Sequence, residues 1–220
     1  MKKLLILAAV AASAAAYAGM AKMGLHGENI GATDGLMIYL ICDDVAIDSA
    51  VVKNEKFRFA LDGVAPGEYL VCRHDGEGKP EVLLLYLDNY DTHIVLTPET
   101  YRVAQSTFIR AESTGNPTHQ TMTEVNDIVL NDRPYDPGTN AKMEAKLKEV
   151  AARGDMASAF AMWKYGIYFP RFMSYDELKS VLDNLSESVK NSSVGKQAVE
   201  KISLALSSMP DAPGATEKTN

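Results

Sequence analysis

The chain has 220 residues, 46% of them hydrophobic and 23% charged, with a formal net charge of -7. That composition supports one or two globular domains with a real core. It carries no basic footprint of the kind nucleic-acid binding needs to displace counterions from phosphate.

Met1-Lys2-Lys3 is a short positive region, and Leu4 to Ala15 is apolar. Ala16-Tyr17-Ala18 then fits a small-x-small cleavage pattern. Residues 1–18 therefore read as an export signal cut between Ala18 and Gly19. The apolar run is too short to cross about 30 Å of hydrocarbon as a helix. No cysteine stands at the junction, so a lipid anchor is not expected. The mature protein is expected in the periplasm or outside the cell, not embedded in a membrane.

Residues 19–113 have the periods of strands. Leu36-Met37-Ile38-Tyr39-Leu40-Ile41 is a continuous apolar run, which predicts a strand covered on both faces. Phe57, Phe59 and Leu61 alternate with Lys56, Arg58 and Ala60, which predicts a strand burying one face. Ala65-Pro66-Gly67 is a turn before Glu68 to Cys72, and Asp75-Gly76-Glu77-Gly78 is another. Val82 to Leu87 is a second two-sided run. Asp88 to Asp91 turns into Thr92 to Thr97, and Tyr101 to Ile109 reads as the closing strand. Short strands at near-regular spacing predict an antiparallel β-sandwich or open barrel.

Residues 114–209 have helical period, and about five helices are expected there, giving an α+β fold. Thr121 and Glu124 match a capping box ahead of Val125, Ile128 and Val129. A second helix starts near Thr139, places Met143, Leu147 and Val150 on one face, and ends at Gly154. A third runs from Asp155 toward Pro170. A fourth opens on the Ser174/Glu177 capping box and carries Leu178, Val181, Leu182, Leu185 and Val189. A fifth carries Val194, Ala198, Val199, Ile202, Ala205 and Leu206. Residues 210–220 read as a disordered tail.

This order of features resembles the N-terminal domain of unknown function that precedes the thioredoxin-like domain in exported thiol:disulfide interchange proteins of Gram-negative bacteria (TlpA/ResA-like). The resemblance rests on Ile47-Asp48-Ser49-Ala50-Val51-Val52 leading to Asn54 to Phe59, then Pro66-Gly67-Glu68-Tyr69. It continues through Leu83 to Leu96, Ile109 to Asn116 and Lys190 to Lys196. It implies a non-catalytic recognition or spacer module. In that family the exchange chemistry belongs to a C-x-x-C in the following domain, expected after Met209 to Gly214. No C-x-x-C occurs in this sequence, so no catalytic residue carries over.

The chemistry-bearing residues form few patterns. Cys42 and Cys72 are spaced too widely for a redox or metal motif. In an oxidising compartment they are either bridged or two buried thiols, and both readings stand. Asp43, Asp44, Asp48, Asp88 and Asp91 are candidate calcium ligands or, more plainly, turn carboxylates. His26, His74, His93 and His119 are scattered with no metal-ligand spacing, and His93 reads as a surface or edge residue. No serine elbow or phosphate loop is present, and no cofactor is expected. The densest aromatic stretch, Trp163 to Phe172, offers Trp163, Tyr165, Tyr168, Phe169 and Arg171 as a partner-binding surface or as helix packing.

The sequence thus points to an exported non-catalytic binding or scaffold module of the cell envelope. One alternative is an accessory lobe of a split thioredoxin-like oxidoreductase, with that envelope protein as partner. A further alternative is a hydrolase with an unrecognised carboxylate site.

Overall fold

The computed structural model describes residues 23–74, 80–131 and 137–210. The signal segment with its Ala18–Gly19 junction, the Asp75–Gly78 turn and the tail beyond Pro210 lie outside the described residues. The chain divides into two compact units between His119 and Gln120.

The first unit holds eight strands: β1 (Gly24–Asn29), β2 (Met37–Cys42), β3 (Val45–Val51), β4 (Lys56–Phe59), β5 (Gly67–Arg73), β6 (Glu81–Leu87), β7 (Asp91–Val103) and β8 (Ser106–Thr114). They form one sheet in the order β3-β2-β5-β6-β8-β7-β1-β4. The two outermost strands are consecutive in the chain and come back together. Lys53 and Lys56 pair around the Asn54-Glu55 turn, and the Ala60 N–H donates to Asp48 Oδ2 at 2.8 Å. The sheet is therefore nearly closed and barrel-like rather than a two-sheet sandwich. It is also mixed rather than antiparallel, because β1 pairs β7 and β6 pairs β8 in parallel.

Alternation decides which side chains fill the interior. Leu25, Ile38, Leu40, Val71, Leu85, Leu87, Ile94 and Leu96 are fully buried in one cluster, joined by Phe57, Phe59 and Tyr69. Each fully buried Leu or Ile contributes about 1.5–3 kcal/mol. Lys56 and Arg58 stay exposed, as their alternation with Phe57 and Phe59 predicts. The run from Leu36 to Ile41 is not covered on both faces. Ile38 and Leu40 point inward, while Met37, Tyr39 and Ile41 are half-buried on the outer side. The apparent strand from Tyr101 to Ile109 is instead a hairpin, turning at Ala104-Gln105 with Ala104 at φ +54°.

Seven helices are present among the described residues, not five: α1 (Pro117–Asn131), α2 (Pro137–Ala151), α3 (Met156–Tyr165), α4 (Phe169–Phe172), α5 (Tyr175–Asp183), α6 (Glu187–Asn191) and α7 (Ser193–Ser207). Helix α1 begins earlier than the Thr121/Glu124 pattern suggests. Asn116 Oδ1 accepts from the His119 N–H at 3.0 Å, and Pro117 takes the first helical position, where its missing N–H costs nothing. The Ser174/Glu177 capping box is formed as expected. The stripe from Leu178 to Val189 is broken, however. Helix α5 ends at Asp183, and Ser186 caps a separate short helix. Ser and Asn side chains hydrogen-bond their own backbone and so compete with helix continuation. On α7, Val194, Ala198, Ile202 and Leu206 are buried at helical spacing.

Candidate functional site

The aromatic stretch of the helical unit grows out of α3. Asp155 caps this helix by a reciprocal box with Ser158, and Arg153 holds the Asp155 carboxylate at 2.7 Å. Every residue from Met156 to Met162 is buried, so the helix is a core element through its first two turns. Its last residues emerge. Trp163, Lys164 and Tyr165 are half-buried, Ile167 is 64% exposed, and Arg171 is exposed.

Cations and rings alternate over this corner. Lys164 Nζ lies 5.9 Å from the centroid of the Trp163 ring, and Arg171 Cζ lies 5.6 Å from that of Tyr168. Tyr165 and Tyr168 are 6.5 Å apart between centroids, and the Tyr165 hydroxyl donates to Asn126 Oδ1. The stem of Lys201 passes beside Gly166. Rings fixed by such contacts present area at little further entropic cost. Phe169 is the exception in the expected surface. It is fully buried and belongs to the core.

The cysteines are both free. Cys72 on β5 stands opposite Tyr39 of β2, three residues before Cys42. An odd offset puts the two side chains on opposite faces, and three residues span roughly 10 Å, beyond the reach of about 7 Å that a disulfide allows. The fold thus holds them as two separate thiols, not a bridge. Burial pushes the Cys42 thiol pKa up, with Asp43 adding to it, and burial alone raises Cys72. Neither is an activated thiolate.

The five aspartates have separate tasks. Asp43 and Asp44 are the two central residues of the β2–β3 hairpin, at φ +48° and +62°. Asp48 closes the sheet by accepting from the Ala60 and Ser49 N–H groups, each at 2.8 Å. Asp88 is buried and accepts from the Thr118 hydroxyl at 2.9 Å and the Asn89 N–H at 2.7 Å. Asp91 faces His26 on the outside of the sheet, 3.3 Å away. Among the described residues no group of three or more His, Cys, Asp or Glu side chains could hold a metal ion.

The histidines are less scattered than the sequence suggests. His26 and His93 are register partners in the β1–β7 ladder, with ring centroids 5.1 Å apart. His93 sits on an inner strand between β1 and β8, not at an edge. His119 is buried, accepts from the Tyr86 N–H through Nδ1 at 3.4 Å, and packs on the Tyr86 ring. Burial lowers its pKa to about 4, so it is neutral at pH 7. Next to it, Asn116 donates from Nδ2 to the Tyr86 carbonyl and to Thr92 Oγ1, both at 3.0 Å. This buried network fixes the start of α1 to β6 and β7.

Compared with known protein families, curated proteins and solved structures, the chain finds no match.

Proposed function

We propose that this chain is an exported, non-catalytic binding or scaffold module of the bacterial cell envelope. It docks a partner through the aromatic and cationic corner of its helical unit. The observation that carries this reading is the pair of cation–ring stacks, Lys164 on Trp163 and Arg171 on Tyr168, flanking the exposed Ile167. Trp, Tyr and Arg dominate the binding energy of protein interfaces, because they bury large area with few rotamers to freeze.

Charge supports the same assignment. The chain as a whole carries -7, while Lys164 and Arg171 each lie over a ring of this stretch. A local cationic patch on an acidic protein favours an acidic partner surface and sets its orientation. The barrel interior is filled by side chains, which suits a scaffold role. The signal-like start at Met1 to Ala18 supports export. The family resemblance makes a thioredoxin-like envelope protein the first partner to look for.

The test is a photo-reactive residue at position 167, irradiated in the native envelope and read by mass spectrometry. Val45, 62% exposed on β3, serves as the control position. A discrete adduct at 167, absent at 45 and lost in a Trp163→Ala/Arg171→Ala background, is the expected result. Equal labelling at both positions, or none at 167, would sink the proposal.

A further inference from the structure

Polar side chains gather at one end of the barrel. Arg73 closes β5, Glu81 opens β6 and Asn29 closes β1. Arg73 follows the buried Tyr69 and Val71 at steps of two, Glu81 precedes Leu85 and Leu87, and Asn29 follows Leu25, so all three face inward. Register sets two more residues in line with them. Arg73 pairs Glu81, Glu81 pairs Thr107 of β8, and Thr107 pairs Arg102 of β7. The row runs from the enclosed Arg73 side chain, 12% exposed, through Glu81, 33% exposed, to the exposed Arg102.

Three acceptors hold Arg73. Its Nε and Nη2 lie 2.8 and 2.6 Å from Glu81 Oε2, and its Nη1 donates to Asn29 Oδ1 at 2.7 Å and to the Thr97 carbonyl at 3.2 Å. Two features of this arrangement point to a ligand. First, Asn29 is fully buried, and its Nδ2 makes no hydrogen bond among the described residues. The amide cannot turn to use it, because Arg73 has only donors and holds Oδ1 in place. An Asn that served only to receive Arg73 would bury a donor to no purpose. Second, both Glu81 contacts go to one oxygen. The stronger arrangement for a guanidinium and a carboxylate is a fork that uses two.

We propose that Arg73 and Asn29 form a binding site for a carboxylate, in which Glu81 stands in until the ligand arrives. The incoming carboxylate replaces Glu81 on the Nε–Nη2 edge of Arg73. One of its oxygens accepts from Asn29 Nδ2, the donor that Glu81 leaves unused. Satisfying that buried donor favours the ligand over the internal carboxylate. Arg73 keeps an anionic partner throughout, so no bare charge is buried. The displaced Glu81 turns along the row toward Arg102, two strands and roughly 10 Å away, a gap that two long side chains close. The other guanidinium nitrogen is already committed to Asn29 and Thr97. One flat edge therefore remains for the ligand, which matches the two oxygens of a carboxylate. A small acid and the C-terminus of a peptide both supply that group.

N-acetylglycine and acetyl-tetraglycine, each titrated into isotope-labelled full-length protein and followed by NMR, test the site. The readout is the side-chain amide resonance of Asn29, assigned by its loss in Asn29→Ala. A saturable shift is expected with both probes. Tighter binding of acetyl-tetraglycine would assign the site to peptide C-termini, and equal binding to small acids. Acetyl-tetraglycine amide, which lacks the carboxylate, should leave this resonance in place. Glu81→Gln removes the competing charge and should tighten binding by about tenfold or more, because in the wild type only molecules with Arg73 uncovered take the ligand. That gain does not depend on a variant that fails to fold. Arg73→Lys keeps the charge without the flat edge and should weaken binding by about tenfold. Arg110→Ala, at an exposed arginine on the outer face of β8, should change nothing. No saturable shift, an equal response to the amide, or no tightening in Glu81→Gln overturns the site. Loss of the aromatic-corner adduct described above would leave this result untouched, since the two surfaces share no residue.

Discussion

His119→Asn combined with an acid titration probes the buried setting of His119 beside Tyr86. The wild-type imidazole is buried, and its Nδ1 accepts from the Tyr86 N–H. Burial disfavours the charged ring and lowers its pKa from 6.5 to about 4. The unfolded chain therefore takes up its proton near pH 6.5, and the folded chain only near pH 4. Between these values the unfolded state holds more protons, so stability falls as the pH drops. The contribution is complete above about pH 6.5, is lost progressively down to about pH 4, and changes no further below that. The gap from 6.5 to about 4, at about 1.36 kcal/mol per pH unit, comes to about 3 kcal/mol. Some 2 kcal/mol of it, roughly, is gone by pH 5. Asn keeps an acceptor oxygen near the position of Nδ1 and cannot take the proton. Urea unfolding followed by circular dichroism between pH 7.5 and 4.5 measures both proteins. Carboxylates titrate in both and cancel in the difference. Wild type should lose about 2 kcal/mol more than the variant between pH 7 and pH 5. Parallel curves would refute the claim that His119 is held neutral by burial.

Other substitutions separate the remaining structural claims. Asn116→Ala removes the α1 cap and leaves the buried Tyr86 carbonyl and Thr92 hydroxyl without this donor; a loss of about 2–4 kcal/mol by denaturant unfolding is expected. Asp44→Gly, at φ +62° in the β2–β3 turn, should stabilise by roughly 0.5–1 kcal/mol. Glu55→Gly, at φ +61°, should show no such gain, because Glu55 Oε1 accepts from the Gly31 N–H at 2.7 Å. Equal gains at both turns would mean that the Gly31 contact contributes nothing. Intact mass before reduction should show two free thiols. Their maleimide labelling should be slow at pH 7 and accelerate only above the ordinary thiol range, since burial raises both pKa values. Rapid labelling of the folded protein at neutral pH would contradict that.

What the sequence reveals depends on how local each signal is. The Phe57/Phe59 alternation and the Ser174/Glu177 box act within a few residues, and both are realised in the fold. The same local logic misplaces the start of α1. Thr121 and Glu124 fit a capping box, but Asn116 stands where the chain leaves β8, and only its buried partners on β6 and β7 make it the cap. The turn at Ala104 is silent because a non-glycine residue at positive φ has no compositional signature. Strand order is a long-range property. Alternation makes His93 a surface or edge residue, yet nothing near it or near His26 says that β1 pairs with β7 in parallel. The two histidines look scattered because their nearness is created by that pairing alone. The same pairing sets Gly24 against Asp91, where a Cβ would crowd the carboxylate. A shift of one residue in the β1–β7 register would separate all four.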